Sequence, residues 1–233
     1  MKSIAADIRA MGSAGWMVYE TDRALGLLSR GRAGLHVLRF YAQPVPEKEL
    51  VPRRANDSFL IHAVSRDTVP ESAFQRPSGA IAQRFDDGST CIAALKGDEL
   101  AGFMWLQPGI LRERIVRCRF HALPSTRVEW DYDFYIHPRH RLGRLFARLW
   151  DTAFLHLRER GIVATVSWVH LHNRPSSNAH ARLGATPIGW AMFVVMFGHQ
   201  VMITSMRPKF AYSRPGRTLD LFVHAGAPAD DLR

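Results

Sequence analysis

Cysteine is scarce: the 233 residues hold only Cys91 and Cys118, neither in a Cys-x-x-Cys or zinc-ligand spacing. That excludes a disulfide framework and a cysteine-built metal site, and it fits a reducing, cytoplasmic compartment. Lysine is nearly absent, with Lys2, Lys48, Lys96 and Lys209 alone. Arginine therefore supplies most of the 31 basic side chains, which against 21 acidic ones give a formal charge of +10. Guanidinium forks suit phosphates and carboxylates. The excess points to an anionic partner, among them a nucleotide-like cofactor, an acidic carrier protein, a membrane surface touched peripherally, or nucleic acid. A biased base composition yields arginine as well. No Gly-x-Ser-x-Gly elbow surrounds Ser176 or Ser177, which speaks against a serine hydrolase. No aromatic-glycine RNA-binding motif or zinc finger is present, which ranks nucleic acid well below catalysis. Residues 1–14 lack the continuous apolar core of a secretory signal. One run, 185–206, has membrane length. Phe197-Gly198-His199-Gln200 interrupts it with turn chemistry, and its β-branched and aromatic residues predict two adjacent buried strands instead.

What is present suffices for a full core, at 47% hydrophobic composition. The chain divides into an N-terminal elaboration (1–50), a core domain (51–206) and a tail (207–233) whose proline, glycine and charge predict no regular structure. In the elaboration Thr21 caps a helix that runs through Ser29 and ends at Gly31, and 34–43 reads as extended. The core pattern is a strand over 59–64, a loop-rich segment 66–90 suited to covering a site, with a short helix over 80–85, and a hairpin of 91–95 and 100–106. Strands follow over 128–137, 164–170, 187–197 and 201–206. A helix over 143–160 and a short one opened by Asn173-Arg174-Pro175 and closed by Gly184 lie between them. The fold class is therefore α/β (α+β): a mixed, mostly antiparallel central sheet flanked by helices.

The most informative stretch runs from Trp130 to Arg144. Alternation places Trp130, Tyr132, Phe134 and Ile136 on one strand face and Asp131, Asp133 and Tyr135 on the other. A basic turn then opens a helix whose Leu142, Leu145, Phe146, Leu149, Trp150, Ala153, Phe154 and Leu157 form one apolar stripe. First-turn N–H groups lack intrahelical partners and carry the positive end of the dipole. With Arg139, Arg141 and Arg144 close by they suit a pyrophosphate. An ordinary strand-to-helix turn is the plainer alternative.

This order of elements resembles the GNAT superfamily of acyl-CoA N-acyltransferases, over about residues 59–206. That family has an Arg/Gln-x-x-Gly-x-Gly/Ala turn after a splayed strand. Here the turn reads His140-Arg141-Leu142-Gly143-Arg144-Leu145, with Gly143 matching, His140 in place of Arg/Gln and Leu145 in place of the last small residue. Downstream the family often shows Asn-x-x-Ala, a tyrosine four residues on, and a glycine-aromatic pair. This chain has Asn173-Arg174-Pro175-Ser176, His180 and Gly184-Ala185. The resemblance implies a splayed strand pair forming a cleft for acetyl-CoA or a longer acyl-CoA. Phe134, Ile136, Arg139, Arg141, Leu142, Gly143, Arg144, Leu145, Phe146 and Asn173 would contact the cofactor. The altered turn leaves an acyl-carrier-protein-dependent long-chain N-acyltransferase as the runner-up.

Direct transfer from a thioester to a small primary amine needs a neutral amine, a polarised carbonyl and a tolerable thiolate. By resemblance, a strand bulge frees a backbone N–H near Ile136 for the thioester oxygen. Asp133 or Asp131 would take the ammonium proton, with Glu129 as a third candidate, unless these residues only form a salt-bridged strand face. His180 replaces the family tyrosine as the acid for the thiolate, and Tyr135 is its alternative. His170-x-His172, His137 and His140 offer no third ligand at a diagnostic spacing, so no metal is expected. A second class of function is a non-enzymatic basic module that uses Arg30, Arg32, Arg39, Arg53 and Arg54 on nucleic acid or anionic membrane. Acceptor, acyl length and oligomeric state stay open.

Overall fold

The computed structural model describes residues 4–52, 58–113, 115–141 and 143–226. In chain order the elements are α1 (Ile4–Met11), α2 (Ser13–Leu28), β1 (Ala33–Pro44), β2 (Leu60–Val64), a 3-10 turn (Glu71–Phe74), α3 (Ala80–Asp86), β3 (Thr90–Lys96), β4 (Glu99–Pro108), β5 (Ile110–Glu113) and β6 (Cys118–Leu123). There follow β7 (Val128–Ile136), a second 3-10 turn (Pro138–His140), α4 (Leu145–Glu159), β8 (Ala164–His170), α5 (Arg174–Arg182), β9 (Thr186–Met196), β10 (His199–Thr204), β11 (Phe210–Ser213) and β12 (Leu219–His224). The class is mixed α/β with mostly antiparallel pairing, as the sequence pattern predicts. Contacts divide the chain into two compact units.

The first unit comprises Met1–Pro44, Ile110–Pro124 and Val166–Arg233. Its strands run in the order β11-β10-β9-β1-β8. β1 lies antiparallel to β9 from Ala33 opposite Met196 to Ala42 opposite Thr186, so the segment read as an elaboration contributes a strand to the sheet. Alternate residues Leu38, Phe40, Ala191, Phe193 and Met202 are buried. Phe120 of β6 meets them, its ring 5.4 Å from Phe40 and 6.3 Å from Phe193. β6 belongs to a second sheet, ordered β12-β6-β5, with β12 and β6 parallel.

Three expectations change in this unit. The first long helix starts at Ser13 rather than Thr21, because the chain breaks between α1 and α2 at Gly12, whose φ is 78°. β5 and β6, in a stretch whose sequence pattern predicts no strand, are ordered by pairing with each other and, for β6, with β12. The tail is not irregular: Leu219, Leu221 and Val223 alternate with more exposed residues, are buried, and bring β12 beside β6. The apolar run over 185–206 becomes β9 and β10, joined through Phe197 and Gly198 at φ 48° and 83°, as expected. Among the described residues no helix is long and apolar enough to cross a membrane.

The second unit comprises Val45–Gly109 and Ser125–Thr165, with the antiparallel order β7-β4-β3-β2. α4 buries Leu145, Leu149, Trp150, Ala153, Phe154 and Leu157 of the stripe read from its three-and-four spacing, while Phe146 is half-buried and Leu142 lies outside the described residues. Gly102 lets the helix approach: a Cβ there would lie 2.9 Å from the Tyr135 carbonyl oxygen and 3.1 Å from Leu149 Cδ1. Asp151 of α4 accepts hydrogen bonds from the backbone N–H of Leu50 (2.6 Å) and of Val51 (3.2 Å), anchoring that connector. A separate cluster holds Phe74, Ile81, Cys91, Phe103 and Trp105, packed by the first 3-10 turn and α3. Each unit buries one free cysteine, Cys118 in the first and Cys91 in the second, and burial pushes both thiols well up from their ordinary values.

Candidate active site

β7 supplies the site because its ladder with β4 is irregular. Trp105 faces Tyr132 and Phe103 faces Tyr135, so two steps on β4 meet three on β7. The extra residue is accommodated with Asp133 at φ 47°, a left-handed conformation that aspartate tolerates better than most side chains. The inserted residue flips the parity of the strand. Strict alternation had separated Tyr132 from Tyr135. The bulge instead sets both against the cluster of Phe103 and Trp105, while Phe134 packs on α4, its ring 5.1 Å from Phe146 and stacked at 6.3 Å on Trp150.

Beyond the bulge regular pairing resumes. His137 N–H donates to the Ala101 carbonyl at 2.9 Å, and Ile136 faces Gly102. In an antiparallel ladder the residue beside a hydrogen-bonded pair directs its own N–H to the opposite edge. The Ile136 amide therefore points away from β4. Its carbonyl accepts a hydrogen bond from Arg141 Nε at 3.1 Å.

The carboxylates sit differently from their sequence reading. Asp133 is clasped by two arginines: Arg76 donates through Nε (2.9 Å) and Nη2 (2.5 Å), and Arg84 donates through Nη1. Each guanidinium also lies over aromatic rings, Arg76 at 5.1 Å from Phe103 and 5.6 Å from Tyr135, Arg84 at 5.2 Å from both Trp105 and Tyr132. Burial works to raise the Asp133 carboxyl. The hydrogen bonds and charges of Arg76 and Arg84 outweigh it and hold the group below its usual range. Asp131 is not on an open strand face: it is 5% exposed and accepts a hydrogen bond from Thr165 at 2.7 Å. Glu129 is buried too, paired with Arg160 at 2.8 Å, and burial, opposed by that arginine, raises its carboxyl. The Tyr132 hydroxyl lies 2.8 Å from Ser89 Oγ, and burial, partly offset by that contact, pushes it up to about 12.

α4 begins at Leu145 with Arg144 as N-cap, and no side chain caps it. Arg139 and Arg141 are exposed, whereas Arg144 donates to the Pro52 carbonyl at 2.8 Å. Gly143 has no left-handed φ, and a Cβ there would meet only the His140 carbonyl, at 3.7 Å. The fold does not demand glycine at this place. The first-turn amides of α4 follow directly after it. Leu142 lies outside the described residues, as do Arg53 and Arg54. Leu145 is 2% exposed, so its side chain serves the core and only its amide remains for a ligand.

Asn173 and His180 belong to the first unit. Asn173 Oδ1 accepts from Ser176 N–H at 3.3 Å and caps α5, with Pro175 in the first turn. His180 stacks on Tyr41 at 5.7 Å and 9°, and its Nε2 is 3.5 Å from Ser167 Oγ. In the same unit His170 and His172 stack at 5.0 Å, and burial, with His172 and His36 adding to it, lowers His170 to about 4. Sequence reasoning missed Arg76, Arg84 and Ser89. Their only signal was the loop-rich stretch 66–90 that holds them.

A family model described as the acetyltransferase (GNAT) family matches residues 58–185, more than half of the chain. Among solved structures, a conserved protein of unknown function from Staphylococcus epidermidis is 11% identical, with a TM-score of 0.48 over 76% of this chain and 66% of its own. A tandem GNAT protein from the clavulanic acid biosynthesis pathway is 14% identical, with a TM-score of 0.48 over 70% and 54%. A GCN5-related N-acetyltransferase from Sphaerobacter thermophilus is 12% identical, with a TM-score of 0.41 over 84% and 58%. The chain spans less than two thirds of the length of each of these. No curated protein matches it.

Proposed function

The chain belongs to the acetyltransferase (GNAT) family, and from that premise we propose that it transfers an acyl group directly from acyl-CoA to a primary amine. The observation that carries the reading is the uncapped start of α4 behind Gly143, next to a β7 amide turned away from β4. When bound, acyl-CoA supplies an activated thioester. The backbone amides of Arg144, Leu145 and Phe146 hold its diphosphate, aided by Arg139 and Arg141. The Ile136 N–H donates to the thioester carbonyl oxygen, where negative charge develops.

Asp133 differs here from a free general base. A carboxylate held below its usual range takes up protons poorly, and the set of Arg76, Asp133 and Arg84 keeps a net charge of one positive unit. That field disfavours the ammonium ion, which releases its proton to water and becomes the neutral, nucleophilic amine. The amine nitrogen bonds to the acyl carbon as the carbon–sulfur bond breaks, and the nitrogen gives up one proton to water as the amide forms. Tyr135, in the same unit as β7 and α4, donates the proton that the departing thiolate takes up and regains one from water. A free thiol has a pKa of about 8.5, so losing this acid slows turnover without abolishing it.

A thermal-shift screen with CoA, short and long acyl-CoAs and acyl carrier protein tests donor and class together. A ligand at a hundred times its Kd stabilises by about 2.7 kcal/mol. For a chain of this size that is an upward shift in Tm of roughly 5–10 °C. The expected result is such a shift with CoA species and release of free CoA in the presence of an amine. Stabilisation by acyl carrier protein alone would transfer the assignment to the carrier-dependent reaction. No shift with any donor and no thiol release with any amine would end the proposal.

A further inference from the structure

We propose that Glu99, His137 and His140 form a binding site for a divalent transition-metal ion of the zinc type. One donor atom from each lies within 4.8 Å of the others. The two histidines come together because His137 caps, and His140 ends, a single 3-10 turn, whose three-residue period eclipses positions i and i+3. Pro138, fixed in φ, starts that turn. Glu99 arrives from the other side, as the first residue of β4 after the Lys96–Glu99 reversal. Sequence spacing could not supply this third ligand, since it lies far from the histidines along the chain.

The distances argue against a simple ion-pair network. His137 Nδ1 is 3.9 Å and His140 Nε2 is 4.0 Å from Glu99 Oε1, beyond hydrogen-bond range. His140 Nε2 is buried and has no hydrogen-bond partner, a cost that an atom placed between the three groups would remove. Zinc bonds of about 2.0–2.2 Å in a tetrahedron set the donors roughly 3.3–3.5 Å apart. The two edges that meet at Glu99, 3.9 and 4.0 Å, need to contract by about 0.5 Å to reach that size. His137 Nδ1 would exchange its 3.4 Å hydrogen bond from Arg139 N–H for the metal. Two imidazoles and one carboxylate suit zinc and its neighbours, whereas calcium and magnesium favour a shell of oxygens. The fourth position stays open to water. A bound ion would pin the β3–β4 turn to the segment that leads into α4.

The test uses the full chain stripped of metal by a chelator and titrated with zinc chloride by calorimetry. Cobalt(II) absorption reports tetrahedral coordination in parallel. One ion per chain is expected, with a rise in Tm. Glu99→Gln, His137→Ala and His140→Ala should each weaken zinc binding at least about tenfold. His224→Ala, at an exposed histidine in the other unit, should leave it unchanged. Should a histidine variant fail to fold, Glu99→Gln decides, since that side chain is 44% exposed. Absence of stoichiometric binding, or wild-type affinity in Glu99→Gln, overturns the proposal. The readout is metal occupancy, so its failure and that of the acyl-transfer reading are distinguishable.

Discussion

Asp133→Asn is expected to lower folding stability by about 3 kcal/mol at neutral pH, because it strands two partly buried guanidiniums without their shared counter-charge. Asparagine tolerates the left-handed φ of 47° as well as aspartate does, so backbone strain does not confound the comparison. Denaturant unfolding of both proteins gives the difference directly. The effect depends on pH in a fixed sense. The Asp133 carboxyl is held below its unfolded value, near 3.9. Its contribution is therefore complete above that value and is lost as pH falls through the folded pKa. The gap between the two proteins should narrow in acid. Equal stability at pH 7 would show that the arginines find compensation elsewhere and that the clasp does not organise this surface.

Gly143→Val carries the second large effect, and it separates fold from function. Its backbone is not left-handed and a Cβ has room, so stability should stay within about 0.5 kcal/mol of the wild type. Affinity for CoA should fall by at least about a hundredfold. The isopropyl group would hold a diphosphate off two or more first-turn amides, each charge-assisted hydrogen bond contributing roughly 1.5–3 kcal/mol. Calorimetric titration of the folded variant with CoA measures this. Unchanged affinity would mean that the α4 amides do not face the ligand, and the phosphate reading of the turn would fall with them.

The long elements were legible because each repeats one period without interruption. α4 shows its stripe from Leu145 to Leu157, and β3 with β4 shows two apolar runs around Lys96-Gly97-Asp98-Glu99. β7 was legible as a strand but not in its facing, since a single inserted residue near Asp133 reverses every side chain beyond it and leaves no mark in a period of two. The turn at Gly143 could be read as a strand-to-helix junction, because the apolar stripe of α4 opens directly after the glycine. The partners of Asp133 could not. Arg76 and Arg84 lie about fifty residues upstream, in a stretch without periodicity, and only packing against Phe103 and Trp105 brings them to β7. β12 escaped notice for a related reason: its buried Leu219, Leu221 and Val223 are set among proline, glycine and charge, and their partner β6 is about a hundred residues away.

The placement of the two thiols, one sealed inside each unit, has a practical outcome. Cys91 is 0% and Cys118 1% exposed, so alkylating reagents reach either sulfur only when the surrounding shell opens. Peptide-resolved labelling over time would therefore clock the breathing of the two halves independently in one sample. A ligand gripped by β7 and α4 alone would slow modification at position 91 and leave position 118 to its own rhythm.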